Sequence, residues 1–128
     1  MAETENVITK TTDFIQWFLP KVTKMPRDVK FLFGDRIIRL QLDLLEVLID
    51  AYYSAQGPAK LQALSTANLQ IEKLRHLIRI STDMRWLTPQ QFEFATREMN
   101  TIGGMVGGWR RSLGRNASKA PPQHSATE

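Results

Sequence analysis

The sequence contains no cysteine. That excludes disulfide scaffolds, thiolate zinc sites and cysteine nucleophiles together, and it makes the reducing cytosol the expected compartment. Histidine is nearly absent, with only His76 and His124. A di-metal site in a helical bundle needs two Glu-x-x-His units and further carboxylates, and neither unit occurs. His76 instead follows Glu72 by four residues, the spacing of an ordinary helix-surface pair. No apolar run approaches the roughly 18 residues of a membrane span. Met1 to Asn6 is acidic and lacks an apolar signal core, so secretion by the usual signal is not expected. There is no P-loop, no Rossmann glycine pattern and no Gly-x-Ser-x-Gly elbow. Without convergent acids, bases or nucleophiles, no catalytic residues, metal or cofactor are expected.

What remains is one domain's worth of ordinary globular chemistry: 128 residues, 42% hydrophobic and 23% charged. Lys+Arg is 17 against 13 Asp+Glu, a net charge of +4 with pI ≈ 9.7. That balance leans toward polyanionic partners. Nothing alternates with strand period; apolar residues recur every three or four positions, as on helices. Proline and glycine divide the chain into four segments. In the first, Val7 to Lys24, Phe14, Phe18 and Val22 recur four apart beside Trp17, and Pro20 inside the pattern predicts a kink or short break. The second runs from Arg27 to Ser54, with Pro26 suited to the first helical position. The third follows Gly57-Pro58 and ends near Met84. The fourth opens with the capping box Thr88-Pro89-Gln90-Gln91 and continues as the stripe Phe92, Ala95, Met99, Ile102, Val106, Trp109 and Leu113. Gly114 to Glu128, which includes His124, has no apolar periodicity and reads as a disordered tail. The expected architecture is all-α: an up-and-down four-helix bundle over residues 1–113 with frayed first residues, followed by the tail 114–128.

The second segment is too apolar for an ordinary surface helix. Asp28, Asp35, Arg36, Arg39, Asp43, Glu46 and Asp50 fall in a polar stripe about 100° wide at 3.6 residues per turn. The rest of the circumference includes Phe33, Ile37, Leu44 and Leu48 and is about twice the apolar arc an amphipathic helix needs. Two readings follow: self-association through this helix, or a central helix wrapped by the other three. The polar stripe is of mixed sign, which argues against adsorption to a membrane surface.

Arginines form two groups. Arg75 and Arg79 are four apart on the third segment, with Arg85 near its end. They are either rungs of a salt-bridge ladder with Glu72 and Asp83 or an anion-facing site, and arginine suits bidentate recognition. On the fourth segment Arg97, Arg111 and Arg115 share an arc with Gly104 and Gly108, with Arg110 adjacent. Cations favour a helix C-terminus in any case, but a phosphate backbone could also lie against such a face. Gly103, Gly104, Gly107 and Gly108 each cost up to about 1 kcal/mol in a helix interior. Either a close-packed neighbour or a smooth ligand shelf would account for them, with Trp109 continuing the apolar stripe beyond.

Two blocks of wording carry a resemblance. The first is Thr12-Asp13-Phe14-Ile15-Gln16-Trp17-Phe18-Leu19-Pro20, then Met25-Pro26-Arg27 and Phe31. The second is Leu74-Arg75-x-x-Ile78-Arg79, then Leu87-Thr88-Pro89-Gln90-Gln91-Phe92-Glu93, Ile102-Gly103 and Gly107-Gly108-Trp109. In order and spacing, over roughly Lys10 to Leu113, they resemble the four-helix-bundle family that includes Avd, the accessory variability determinant of diversity-generating retroelements, and its relatives encoded in 23S ribosomal RNA intervening sequences. The resemblance implies a homopentameric barrel with a basic surface and no catalytic activity. It also implies binding to a reverse transcriptase and to RNA or DNA in support of mutagenic cDNA synthesis. By position Arg75 and Arg79 match the family's basic pair on the third helix. The modest charge leaves a second possibility: a helical oligomeric scaffold of the same family, outside a retroelement, that binds RNA or protein. A small helical enzyme that cradles an anionic substrate with arginines would instead require those arginines to converge inside one bundle.

Overall fold

The computed structural model describes residues 2–119, with side chains described for 7–115. The first segment is α1 (Ala2–Thr23). The second is a continuous rod of three pieces: α2 (Arg27–Val29), a π-helical turn (Lys30–Gly34) and α3 (Asp35–Tyr53). The third is α4 (Pro58–Asp83) and the fourth α5 (Pro89–Lys119). α3 packs on α4, α4 on α5, α5 on α1 and α1 on α3, without diagonal contacts among the described residues. This closed square is the up-and-down four-helix bundle expected from four amphipathic segments with short connections.

The core is built from the periodic positions. Phe14, Phe18 and Val22 of α1 meet Ile37, Leu44, Leu48 and Ala51 of α3, Ile71, Leu74 and Ile78 of α4, and Ala95, Met99, Ile102 and Val106 of α5. Phe33, Trp109 and Leu113 are half-buried against this core. At the edge, the Trp17 ring meets Phe94 at 4.6 Å and carries the Lys21 ammonium 4.1 Å from its centroid. Burial there, with the nearby Lys24 charge, holds the Lys21 pKa below the ordinary lysine value.

Several boundaries differ from the sequence reading. α1 begins at Ala2 rather than Val7 and passes through Pro20 without a break. Pro20 removes one hydrogen bond, to the carbonyl of Gln16; both residues are exposed, so that carbonyl lies on the solvent side. The fourth helix runs six residues past Leu113, so Gly114 to Lys119 is helix and not tail. Arg115, Ala117 and Lys119 are good helix formers and no proline intervenes, so one more hydrogen bond per residue carries the helix on. Residues 120–128, including His124, lie outside the described residues.

The π-helical turn was not anticipated. Its extra residue, with Asp35 N–H donating to the Lys30 carbonyl, leaves Phe31 and Leu32 exposed and turns Phe33 onto Trp86, ring centroids 5.3 Å apart. Gly34 closes the turn under α1, where a Cβ would lie 2.7 Å from Val22 Cγ1. Only a residue without a side chain lets the two helices approach this closely.

The ends of α4 and α5 are defined by local chemistry. Gly57, at φ +54°, precedes Pro58 in the first turn of α4. At α5, the Gln91 N–H donates to Thr88 Oγ1 (3.1 Å) and the Thr88 N–H donates to Gln91 Oε1 (2.9 Å), the reciprocal capping box expected from the sequence. α4 ends differently. Trp86 N–H donates to the Ser81 carbonyl and Arg85 N–H to the Thr82 carbonyl, a Schellman motif. The residue in its left-handed position is Arg85, at φ 66°, where glycine is usual.

Candidate nucleic-acid interface

Arg75 and Arg79 point into a groove between α4 and α5 of about 380 Å³, floored by Ile78, Phe92 and Met99. The two arginines are held differently. Arg75 is engaged from three directions: Nε donates to Glu72 (3.2 Å), Nη1 to Asn100 Oδ1 (2.6 Å) and Nη2 to the Met99 carbonyl (3.5 Å). Its guanidinium also lies over Gly103, whose absent Cβ would be 3.2 Å from Nη2. Arg75 is therefore a strut between α4 and α5, and Gly103 is the recess that admits it. Arg79 is freer: exposed, 3.5 Å from Asp83, with its guanidinium carbon 5.7 Å from the Phe92 ring centroid. Both rungs of the salt-bridge ladder are thus present. The exposed one, Arg79–Asp83, is a weak pair that a phosphate can replace.

A neighbouring cleft of about 590 Å³ shares Phe92 and Thr96 with this groove and adds Arg97, 5.9 Å from the Phe94 ring centroid. Arg75, Arg79 and Arg97 therefore lie along one face. Arg85 stands apart, exposed at the α4–α5 turn beside Thr88 and Pro89. Arg110, Arg111 and Arg115 are exposed farther along α5, Arg111 being about 21 Å from Arg97 at 1.5 Å per residue. Their arc is not lined by another helix. A Cβ on Gly107 or Gly108 would meet only Arg111 of the same helix, at 3.3 and 3.9 Å, and one on Gly104 would meet nothing within 4 Å. Of the four glycines, a neighbouring helix accounts for Gly103 alone.

Three further cations share a groove that the sequence does not reveal. By spacing, Arg36 and Arg39 are only members of a polar stripe, and nothing marks Lys73. α3 and α4 pack so that all three line one groove with His76. Only the pairing of the two helices could have revealed this. Asp35 accepts from Arg39 Nε at 2.7 Å; that hydrogen bond and charge, with Asp43 adding to them, raise the Arg39 pKa further above its ordinary value.

Among the described residues no group of three His, Asp or Glu side chains could hold a metal ion, and no helix is long and apolar enough to cross a membrane. Fold and face together define a class: a helical bundle that displays arginines over aromatic rings along its outer grooves. Comparison with family models identifies the member of that class. Residues 7–113 match the bAvd-like family, and the chain belongs to it. The family is non-catalytic. No curated protein matches the chain.

Proposed function

We propose that this protein is a non-catalytic accessory subunit of a diversity-generating retroelement, acting in the cytoplasm as a homopentameric ring that binds the element's reverse transcriptase and RNA or DNA. The observation that carries the reading is the outward display of its cations. Arg79, Arg85, Arg97, Arg110, Arg111 and Arg115 are all exposed, and none turns into the bundle. A pocket that held a small anionic substrate would enclose its arginines, whereas a polymer or a protein surface needs them outside.

Self-assembly is supported by the outer side of α3. Leu42 and Tyr53 are exposed and Leu45 and Ile49 half-buried, at the three-four spacing of one helix stripe, while Ile37, Leu44 and Leu48 occupy the inner side. Second copies would cover this stripe. Five copies of a +4 chain carry about +20, and contacts made by one ring share a single loss of association entropy. The binding is largely independent of sequence and weakens steeply with salt.

Two measurements test this. Native mass spectrometry should give a closed oligomer; a lone 14.7 kDa particle at all workable concentrations overturns the assembly. Retention of RNA and DNA across a salt series should fall with rising salt, and no retention at low salt overturns nucleic-acid binding. The modest charge favours one second reading, a scaffold of the same family outside any retroelement. Capture of a co-expressed retroelement reverse transcriptase separates the two.

A further inference from the structure

The groove between α3 and α4, about 710 Å³, contains a set of donors and acceptors that packing within the chain leaves unmet. Arg39 on its rim is occupied by Asp35, with Asp43 adjacent. Arg36 on α3 and Lys73 on α4 are different. Both are exposed and line the groove from opposite walls, and neither has a carboxylate or hydrogen-bond partner among the described residues. Between them, Leu40 and Leu77 are half-buried against the core and give the groove an apolar base. Gln70 lines the same groove with its Oε1 shielded from solvent and accepting no hydrogen bond.

We propose, building on the nucleic-acid reading above, that this groove seats single-stranded nucleic acid. Arg36 and Lys73 take phosphate oxygens, and a base lies against Leu40 and Leu77. A duplex keeps its base faces stacked inside and cannot use the apolar base of the groove; a single strand can. His76 lines both this groove and the α4–α5 groove. A strand seated here therefore continues across α4 toward Arg79, which makes the two grooves one path.

The experiment compares full-length wild type with R36A/K73A and with K24A/R27A, using fluorescence anisotropy over a salt series. The second pair removes the same charge at exposed positions outside the groove. Probes are a mixed-sequence single-stranded RNA, the matching DNA strand, its duplex and poly-glutamate. Circular dichroism checks the fold, and R36Q/K73Q repeats the test with side-chain length retained. R36A/K73A should weaken single-strand binding about tenfold and flatten the slope of log K against log salt by about 1.4, or about 0.7 for each phosphate no longer neutralised. K24A/R27A should leave that slope unchanged. Equal slopes for the two pairs overturn the groove while leaving nucleic-acid binding intact. An equal loss on duplex and single strand also overturns it, as does a loss confined to poly-glutamate. Absence of wild-type binding at low salt is the separate failure, that of the nucleic-acid reading itself.

Discussion

Arg85 should make fold stability and partner binding move in opposite directions. Its φ of 66° places a side-chain-bearing residue in the left-handed position of a Schellman motif, at a cost of roughly 1–2 kcal/mol. Arg85→Gly removes that strain and adds back part of it, about 0.5–1 kcal/mol, as extra freedom of the unfolded chain. The net expectation is a gain of about 0.5–1 kcal/mol, a rise in Tm of roughly 2–5 °C for a domain of this size. The Arg85 side chain is exposed and makes no hydrogen bond or ion pair among the described residues, so its removal costs the fold little. If Arg85 contacts a phosphate, the same variant weakens RNA binding and lowers the salt slope by about 0.7. Arg85→Ala separates the two effects: it keeps the positive φ, so stability does not rise, but it loses the same binding. Urea denaturation and anisotropy on the three proteins provide both readouts. A destabilised Arg85→Gly refutes the strain argument, and unchanged binding in both variants removes Arg85 from the interface.

Three further substitutions test the packing. Gly34→Ala places a Cβ 2.7 Å from Val22 Cγ1 and is expected to cost about 1–3 kcal/mol despite alanine's better helix propensity; Val22→Ala in the same chain should recover part of that, as a double-mutant cycle in urea would show. Gln41 is 1% exposed with neither amide atom hydrogen-bonded, so Gln41→Met should raise stability by about 1–2 kcal/mol in thermal denaturation; a loss would mean that a buried water or a partner satisfies the amide. Thr88→Ala breaks the capping box and should cost about 1 kcal/mol by urea titration, with Thr88→Ser recovering most of it.

The features that could be read in advance are those whose physics is local. The α5 stripe from Phe92 to Leu113 and the Thr88–Gln91 cap depend on residues three or four apart, and both form as expected. The π-helical turn depends on a contact between Gly34 and Val22, twelve positions earlier, and periodicity within either helix is silent about it. Arg75 shows the same limit at the site. Its spacing from Arg79 leaves a salt-bridge ladder and an anion-facing pair both open, and it takes Asn100 and Gly103, on another helix, to make it a strut. The arginine pair is thus divided by tertiary contacts between a structural partner and an exposed one. The same contacts bring Arg36 and Lys73, 37 positions apart, to one groove. Charge spacing along one helix therefore cannot tell Arg75 from Arg79, and it misses the groove that Arg36 and Lys73 share. The proposed self-association draws on both levels: the apolar excess of the second segment follows from the helical period, and folding of one chain leaves Leu42 and Tyr53 of α3 exposed. Covering this stripe with further copies of the chain would remove apolar area from water, which is what the proposed assembly would gain.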